Sequence, residues 1–240
     1  MSLSPDLAER RYQQQAGWTE PLRRHLFVRA GLAHAQRVLE VGCGPGAVLR
    51  SLPATRAAIH GLDIDRPALQ RARSVCAADL TCGDALHLPY ADNSFDLSFF
   101  HYVLLWLPDP VQALREAARI TRRGGTVLAF AEPDYTARAA PSSALQTVNQ
   151  LQVQALRQQG ADPGFGGQLA ASFAAAGLPP AESGRLQSDP AAGENPLEAE
   201  VLQADLAGLL PAADLAALLA ALQAQPTAEV PTYFAWARLA

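Results

Sequence analysis

Residues 38–46, Val-Leu-Glu-Val-Gly-Cys-Gly-Pro-Gly, constrain this chain more than any other stretch. Val38, Leu39 and Val41 supply a short apolar strand. Gly42, Gly44 and Gly46 follow at once, permitting backbone angles and close approaches that a Cβ would block. Val48, Leu49 and Leu52 then recur at helical spacing, so a strand, a glycine turn and a helix N-terminus are expected in succession. Such a succession points backbone N–H groups and the positive end of a helix dipole at a ligand.

The pattern repeats in coarser form along the next ninety residues. Strands are expected near 36–41, 57–62, 79–82, 95–100 and 125–130. Between them, Arg66–Ala77 reads as a helix capped by Asp65, with Leu69, Ala72 and Val75/Cys76 on one face. Asp109-Pro110 opens another, with Val111, Leu114, Ala118 and Ile120 inward and Gly124-Gly125 as its end. On that reading Arg122-Arg123 complements the helix dipole. Strand–helix alternation of this kind implies a doubly wound, Rossmann-like α/β sheet. Residues 5–34 read as helical. In the C-terminal half, Gln168–Gly177 reads as a helix, Arg185–Ser188 as part of a strand, Leu215–Leu222 as an amphipathic helix and Tyr233–Ala237 as a last strand.

Gly42-x-Gly44-x-x-Ala47 also satisfies the dinucleotide fingerprint, and Asp63 stands about 20 residues further on, where a ribose acid belongs. An NAD-dependent oxidoreductase is therefore one reading. Three residues favour another. Glu40 would set a carboxylate beside a pyrophosphate, Pro45 removes an N–H donor, and a second acid, Asp84, closes the third strand. Two acids, one for a ribose and one for an adenine amino group, suit an adenosyl cofactor without phosphates.

Glu40-Val41-Gly42-Cys43-Gly44-Pro45-Gly46 resembles motif I of the class I S-adenosylmethionine-dependent methyltransferases. Gly61-Leu62-Asp63-Ile64, Gly83-Asp84-Ala85, Ser94-Phe95-Asp96-Leu97 and Arg122-Arg123-Gly124-Gly125-Thr126 follow in the family's order, so the resemblance covers roughly residues 36–132. It implies a seven-stranded, mostly parallel sheet with an antiparallel last strand and helices on both faces. It also implies S-adenosyl-L-methionine as cofactor, held by Glu40, Gly42, Cys43, Gly44, Gly46, Asp63, Ile64, Asp84, Ala85 and Phe100. A single domain over 1–240 is expected: a helical cap at 1–34, a cofactor core at 35–135, and a C-terminal half at 136–240 with inserted helices.

Missing motifs narrow the acceptor. Amino-methylating DNA enzymes carry [Asp/Asn]-Pro-Pro-[Tyr/Phe] where this chain has Phe100-His101-Tyr102-Val103, and no Pro-Cys pair offers a cytosine-C5 nucleophile. His101 stands where the metal-dependent catechol type places an acid. The expectation is metal-independent transfer to a small molecule, as in the quinone-biosynthesis and natural-product enzymes, with rate coming mainly from in-line positioning. A cofactor-binding protein without transfer activity is the alternative.

His101 is the candidate general base because imidazole titrates near neutrality. Tyr12, Trp18, Tyr102, Tyr135 and Phe165 are candidate acceptor walls, and residues 1–20 with Ser142–Phe165 a candidate lid, with Gly160, Gly164, Gly166 and Gly167 as its bends. Glu132-Pro133-Asp134-Tyr135 is the other polar cluster at this edge; it reads as a surface loop, with Glu132 as a pocket candidate.

The net charge of −4 argues against a nucleic-acid surface, and no apolar run is long enough to span a bilayer. All 19 basic side chains are arginine, which excludes Schiff-base and P-loop lysines. Cys43, Cys76 and Cys82 lack metal spacing and suit reduced thiols in a cytoplasmic protein.

Overall fold

The computed structural model describes residues 4–186, 196–223 and 229–240. Seven strands form one sheet: β1 (Arg37–Val41), β2 (Ala58–Asp63), β3 (Asp79–Cys82), β4 (Phe95–His101), β5 (Thr121–Pro133), β6 (Glu182–Arg185) and β7 (Thr232–Arg238). Their order is β3-β2-β1-β4-β5-β7-β6, parallel from β3 to β5, with β7 antiparallel to both of its neighbours. The order reverses between β1 and β4, and in open sheets of this kind ligands bind outside the carboxyl ends of the strands at that point.

Strand alternation explains why both faces are covered. Leu39, Val41, Phe100, Val127 and Ala129 point to one side and pack with Ala113, Leu114, Ala117 and Ile120 of α4 (Pro110–Ile120) and Phe173 of α6 (Leu169–Ala175). Val38, Leu97, Phe99, Leu128 and Phe130 point to the other, against Leu26, Phe27 and Ala30 of α2 (Glu20–Ala30). Phe27 meets Phe99 and Phe130 edge-on, at centroid distances of 5.3 and 5.0 Å. Each such side chain contributes about 1.5–3 kcal/mol by leaving water, which is why a strand buried on both sides tolerates almost no polar residue.

The N-terminal helical stretch is two helices, α1 (Pro5–Trp18) and α2, separated at Thr19 and stopped at Gly31 in the left-handed region. Helix α3 (Arg66–Val75) is capped as expected, Asp65 accepting the Ala68 N–H. Beyond the sheet, α5 (Ser143–Gln158), α7 (Pro196–Leu206) and α8 (Ala212–Gln223) share an apolar cluster of Val148, Leu202, Leu206 and Leu215.

Several expectations are corrected. The helix after the glycine turn is absent: only a 3₁₀ turn, Leu49–Ser51, forms there. Pro53 disfavours helical geometry at Leu52, which is extended (φ −60°, ψ 142°), so the apolar spacing of Val48 and Leu49 reflects burial without a helix. Helix α4 ends at Ile120, not at the glycines, and β5 starts at Thr121. Its buried face uses Ala113 and Ala117, while Val111 and Ala118 are only half-buried. Arg122 and Arg123 therefore lie on a strand, where Arg122 pairs with Asp96 instead of a helix dipole. Strand β6 sits at 182–185, earlier than expected, and Ser188 lies outside the described residues.

Candidate functional site: a cavity at the carboxyl edge of the sheet

A cavity of about 290 Å³ opens over the ends of β1, β2, β3 and β4, where the strand order reverses. Glu40, the glycine turn, Asp63, Ile64, Asp84, Ala85, His101 and Tyr102 line it from the sheet, and Tyr12 and Gln15 line it from α1.

The glycine turn is held by its own backbone. Gly42 and Cys43 both donate to the Leu62 carbonyl, at 2.7 and 3.0 Å, and Gly46 donates to the Cys43 carbonyl at 2.9 Å. Gly44 donates to Asp63 Oδ2 at 2.7 Å. Pro45 has no N–H. The amides that a pyrophosphate would need are thus spent inside the protein, and the helix dipole that would assist them is missing. A Cβ at Gly42 would collide with the Val103 side chain, at a φ of +74°, so this position is closed to side chains by both contact and backbone angle.

Three acids converge on the cavity. Glu40 is 2% exposed, and its Oε2 has no hydrogen-bond partner. Burial raises its pKa well above the usual carboxylate range, against the pull of the Arg23 guanidinium. A buried, half-satisfied carboxylate is a costly arrangement that a cationic N–H donor would relieve. Asp63 takes the N–H groups of Gly44 and Asp65, at 2.7 and 2.8 Å, one on each oxygen. One lone pair per oxygen is left for a neighbouring diol. Burial also raises the Asp63 pKa, its backbone donors opposing. Asp84 Oδ1 takes the Leu86 N–H at 2.9 Å while Oδ2 faces His87 at 3.6 Å. The cavity thus offers an acceptor for an ammonium, one for a diol and one for an amino group, with no phosphate cradle. That set fits the amino, ribose and adenine parts of an S-adenosylmethionine molecule.

His101 lines the cavity, but its Nε2 lies 2.9 Å from Thr19 Oγ1, and burial together with the nearby Arg23 lowers its pKa to about 3. At that pKa the ring is uncharged near pH 7. Phe100 is buried in the core and does not reach the cavity. Of the acceptor-wall candidates, Tyr12 and Tyr102 line the cavity, Trp18 is partly exposed at the end of α1 with its ring against the Arg11 guanidinium, and Tyr135 and Phe165 belong to the core. No residue of 142–165 lines the cavity. Gly166 and Gly167 are no hinges: a Cβ at either would meet the Glu132–Asp134 segment within 2.8 Å.

The Glu132–Tyr135 segment is not a surface loop. Glu132 is fully buried at the end of β5, where its carboxylate receives the N–H groups of Val103, Leu104 and Leu105 at 3.1, 3.3 and 3.3 Å. Burial lifts its pKa to about 7 despite those donors. Glu132 thereby fixes the turn after β4 that supplies Tyr102, Val103, Trp106 and Leu107 to the cavity. An uninterrupted apolar strand running into a single acid at the ligand-binding edge was the signal for it.

Residues 39–129 match the family described as a methyltransferase domain. Over 122 residues the chain is 37% identical to the malonyl-[acyl-carrier protein] O-methyltransferase of Erwinia pyrifoliae, covering 50% of this chain and 47% of that protein. Methyltransferase GfsG of Streptomyces halstedii is 35% identical over 114 residues, 44% of this chain and 41% of its own length. The chain thus spans under half the length of these curated relatives. Among solved structures, the [4+2]-cyclase SpnF superposes with a TM-score of 0.62 at 25% identity, covering 91% of this chain and 80% of that one. A SAM-dependent methyltransferase of Thermotoga maritima superposes at 0.58 and 17% identity, over 97% and 95% of the two chains, a likeness of fold.

Proposed function

We propose, starting from a chain that carries a class I S-adenosylmethionine-dependent methyltransferase domain, that it methylates a small-molecule acceptor without a metal ion. The observation that carries this reading is the convergence of Glu40, Asp63 and Asp84 on one cavity beside a glycine turn whose amides are already used. The same feature counts against an NAD enzyme.

The bound cofactor supplies an activated methyl group on a sulfonium. Glu40 Oε2 would take the ammonium of its methionyl end, Asp63 the ribose hydroxyls and Asp84 the adenine amino group, with Ile64 and Ala85 giving apolar contact. Tyr12 covers this end from α1. The turn held by Glu132 positions Tyr102 and Val103 at the opposite wall, and α1 keeps water from the reacting atoms. Transfer then depends on alignment at contact distance. His101 serves as a neutral, hydrogen-bonded wall rather than as a base. In this reading residues 1–34 form a cap, 35–135 the cofactor core and 136–240 the half that builds the acceptor side.

The test is a thermal-shift panel of S-adenosylmethionine, S-adenosylhomocysteine and NAD. A ligand at 100 times its Kd stabilises by about 2.7 kcal/mol, so a shift with both adenosyl compounds and none with NAD is expected. No shift at millimolar concentration ends the proposal. A second reading rests on the likeness to a [4+2]-cyclase: the cofactor is bound but not consumed while another reaction proceeds. Release of S-adenosylhomocysteine during turnover separates the two.

A further inference from the structure

A second polar site lies under the cap, beside the cavity and outside it. Arg11 of α1 is 8% exposed and Arg138 carries a side chain that is 7% exposed. Both guanidinium groups face one carboxylate, Glu198 of α7, at 2.5 Å from Arg11 and 4.0 Å from Arg138. Arg138 also donates to Gln152 Oε1 at 2.9 Å and lies over the Tyr135 ring, with its centre 5.7 Å from the ring centroid. Its Nε–H has no partner, and neither has the buried Asn149 Oδ1 on the same helix as Gln152. Of the other two acids of α7, Glu200 pairs with Arg10, and Asp205 bonds Gln152 and feels the Arg11 charge without an ion pair to either arginine among the described residues.

Taking two guanidinium groups out of water costs several kcal/mol each before pairing, and apolar residues would close this gap more cheaply. Arg11 also donates to Gln14 Oε1 at 3.0 Å, yet among the described residues Glu198 is the one carboxylate at ion-pair distance from the two guanidinium groups, and the Arg138 Nε–H is left over. The position of the pair is informative as well. Gln15, one helical turn from Arg11, lines the cavity, and so does Tyr102, which feels the Arg11 charge. Tyr102 is held at a φ of +56°, a backbone state rare for a bulky residue and concentrated at functional sites. The pair therefore lies directly behind the cap-side wall of the methyl-donor cavity.

We propose that Arg11 and Arg138 form the acceptor subsite, that they recognise a carboxylate group on the methyl acceptor, and that Glu198 of α7 occupies their shared position until such a carboxylate displaces it. This deepens the methyltransferase reading and rests on it. Guanidinium groups hold carboxylates through paired N–H donors in one plane, and the spare Nε–H of Arg138 is the donor that Glu198 does not reach. Displacement of Glu198 releases α7 at its first turn, so acceptor binding and loosening of α7 are one event.

The experiment titrates malonate, glutarate and benzoate, each against its amide, into the full chain with and without saturating S-adenosylhomocysteine. Wild type should bind the acids in preference to the amides, with hydrogen exchange of residues 196–206 rising on binding. Glu198→Gln removes the competing charge and should tighten acid binding about tenfold, since the fraction of protein with an open site rises. Arg138→Met should abolish the preference while leaving the S-adenosylhomocysteine shift intact. Equal binding of acids and amides in both wild type and Glu198→Gln overturns the proposal, as does an Arg138→Met protein that still prefers acids. The titrations without nucleoside keep acid recognition separate from the cofactor question, which the S-adenosylhomocysteine shift alone answers. If Glu198→Gln does not fold, the wild-type preference and the α7 exchange decide.

Discussion

The cofactor edge and the cap meet at one cavity but are built by different means. At the edge, β1, β2 and β3 present a backbone that bonds to itself, and three acids stand on consecutive strand ends within one stretch of 45 residues (Glu40 to Asp84). Under the cap, charged side chains from α1, α7 and the Arg138 turn meet the Gln152 amide of α5, from positions far apart in the chain. The constraints on the edge are local backbone bonds, whereas those on the cap run through long side chains. On the proposed reading, one half would fix the cofactor and the other would select what meets it.

Substitutions in the two halves should therefore fail differently. The largest effect is expected from Gly42→Val, whose side chain would collide with Val103 at an angle closed to it. Overpacking and strain together cost on the order of 2–5 kcal/mol, and cofactor binding should be lost by calorimetry. A folded, binding Gly42→Val protein would break the comparison at its firmest point. Next comes Asp63→Ala, which on the proposed reading would remove both ribose contacts and should cost about 2–3 kcal/mol of S-adenosylhomocysteine affinity. Stability should fall too, because Gly44 and Asp65 lose their acceptor.

Glu132→Gln probes the seam between the halves. The folded pKa of Glu132, about 7, lies above the ordinary carboxylate value, so the folded state holds this proton more tightly than the unfolded chain does. Its favourable contribution is complete below the unfolded pKa and is lost as the pH rises through about 7. Denaturant midpoints of wild type should decline across that window, and those of Glu132→Gln should decline less. Identical slopes would show that Glu132 does not titrate there. The smallest effect is expected at His101. His101→Asn should lower turnover less than about tenfold, since general bases contribute roughly 10²–10⁴-fold and this ring is no base near neutrality. A hundredfold loss with an unchanged fold would restore the imidazole to catalysis.

The sequence was legible where a residue's requirement is local. Gly42 needs a left-handed backbone, and Asp63 and Asp84 terminate apolar strands, so both kinds of residue announce themselves within a few positions. The parallel α/β sheet followed from strand–helix alternation, and its antiparallel last strand from the family resemblance. Legibility failed where a long-range contact decides the outcome. Val48, Leu49 and Leu52 carry helical spacing, yet Pro53 and the packing of the turn hold them out of a helix. Glu132 reads as one acid among turn residues because its three donors come from the far side of β4. Arg11, Arg138 and Glu198 carry no shared pattern, since only the folded chain brings them together. His101 shows the converse limit: residue type suggested titration near neutrality, whereas burial and the nearby Arg23 lower its pKa to about 3.

The self-bonded glycine turn has a kinetic consequence. Leu62 O, Asp63 and Val103 already hold the turn in its final shape, so no disordered loop has to condense around an arriving molecule. Entry should then appear as a single phase whose observed rate grows linearly with concentration, without the plateau that a preceding conformational step imposes. Residence time, set by how the buried carboxylate of Glu40 is relieved, would govern exchange of spent cofactor for fresh.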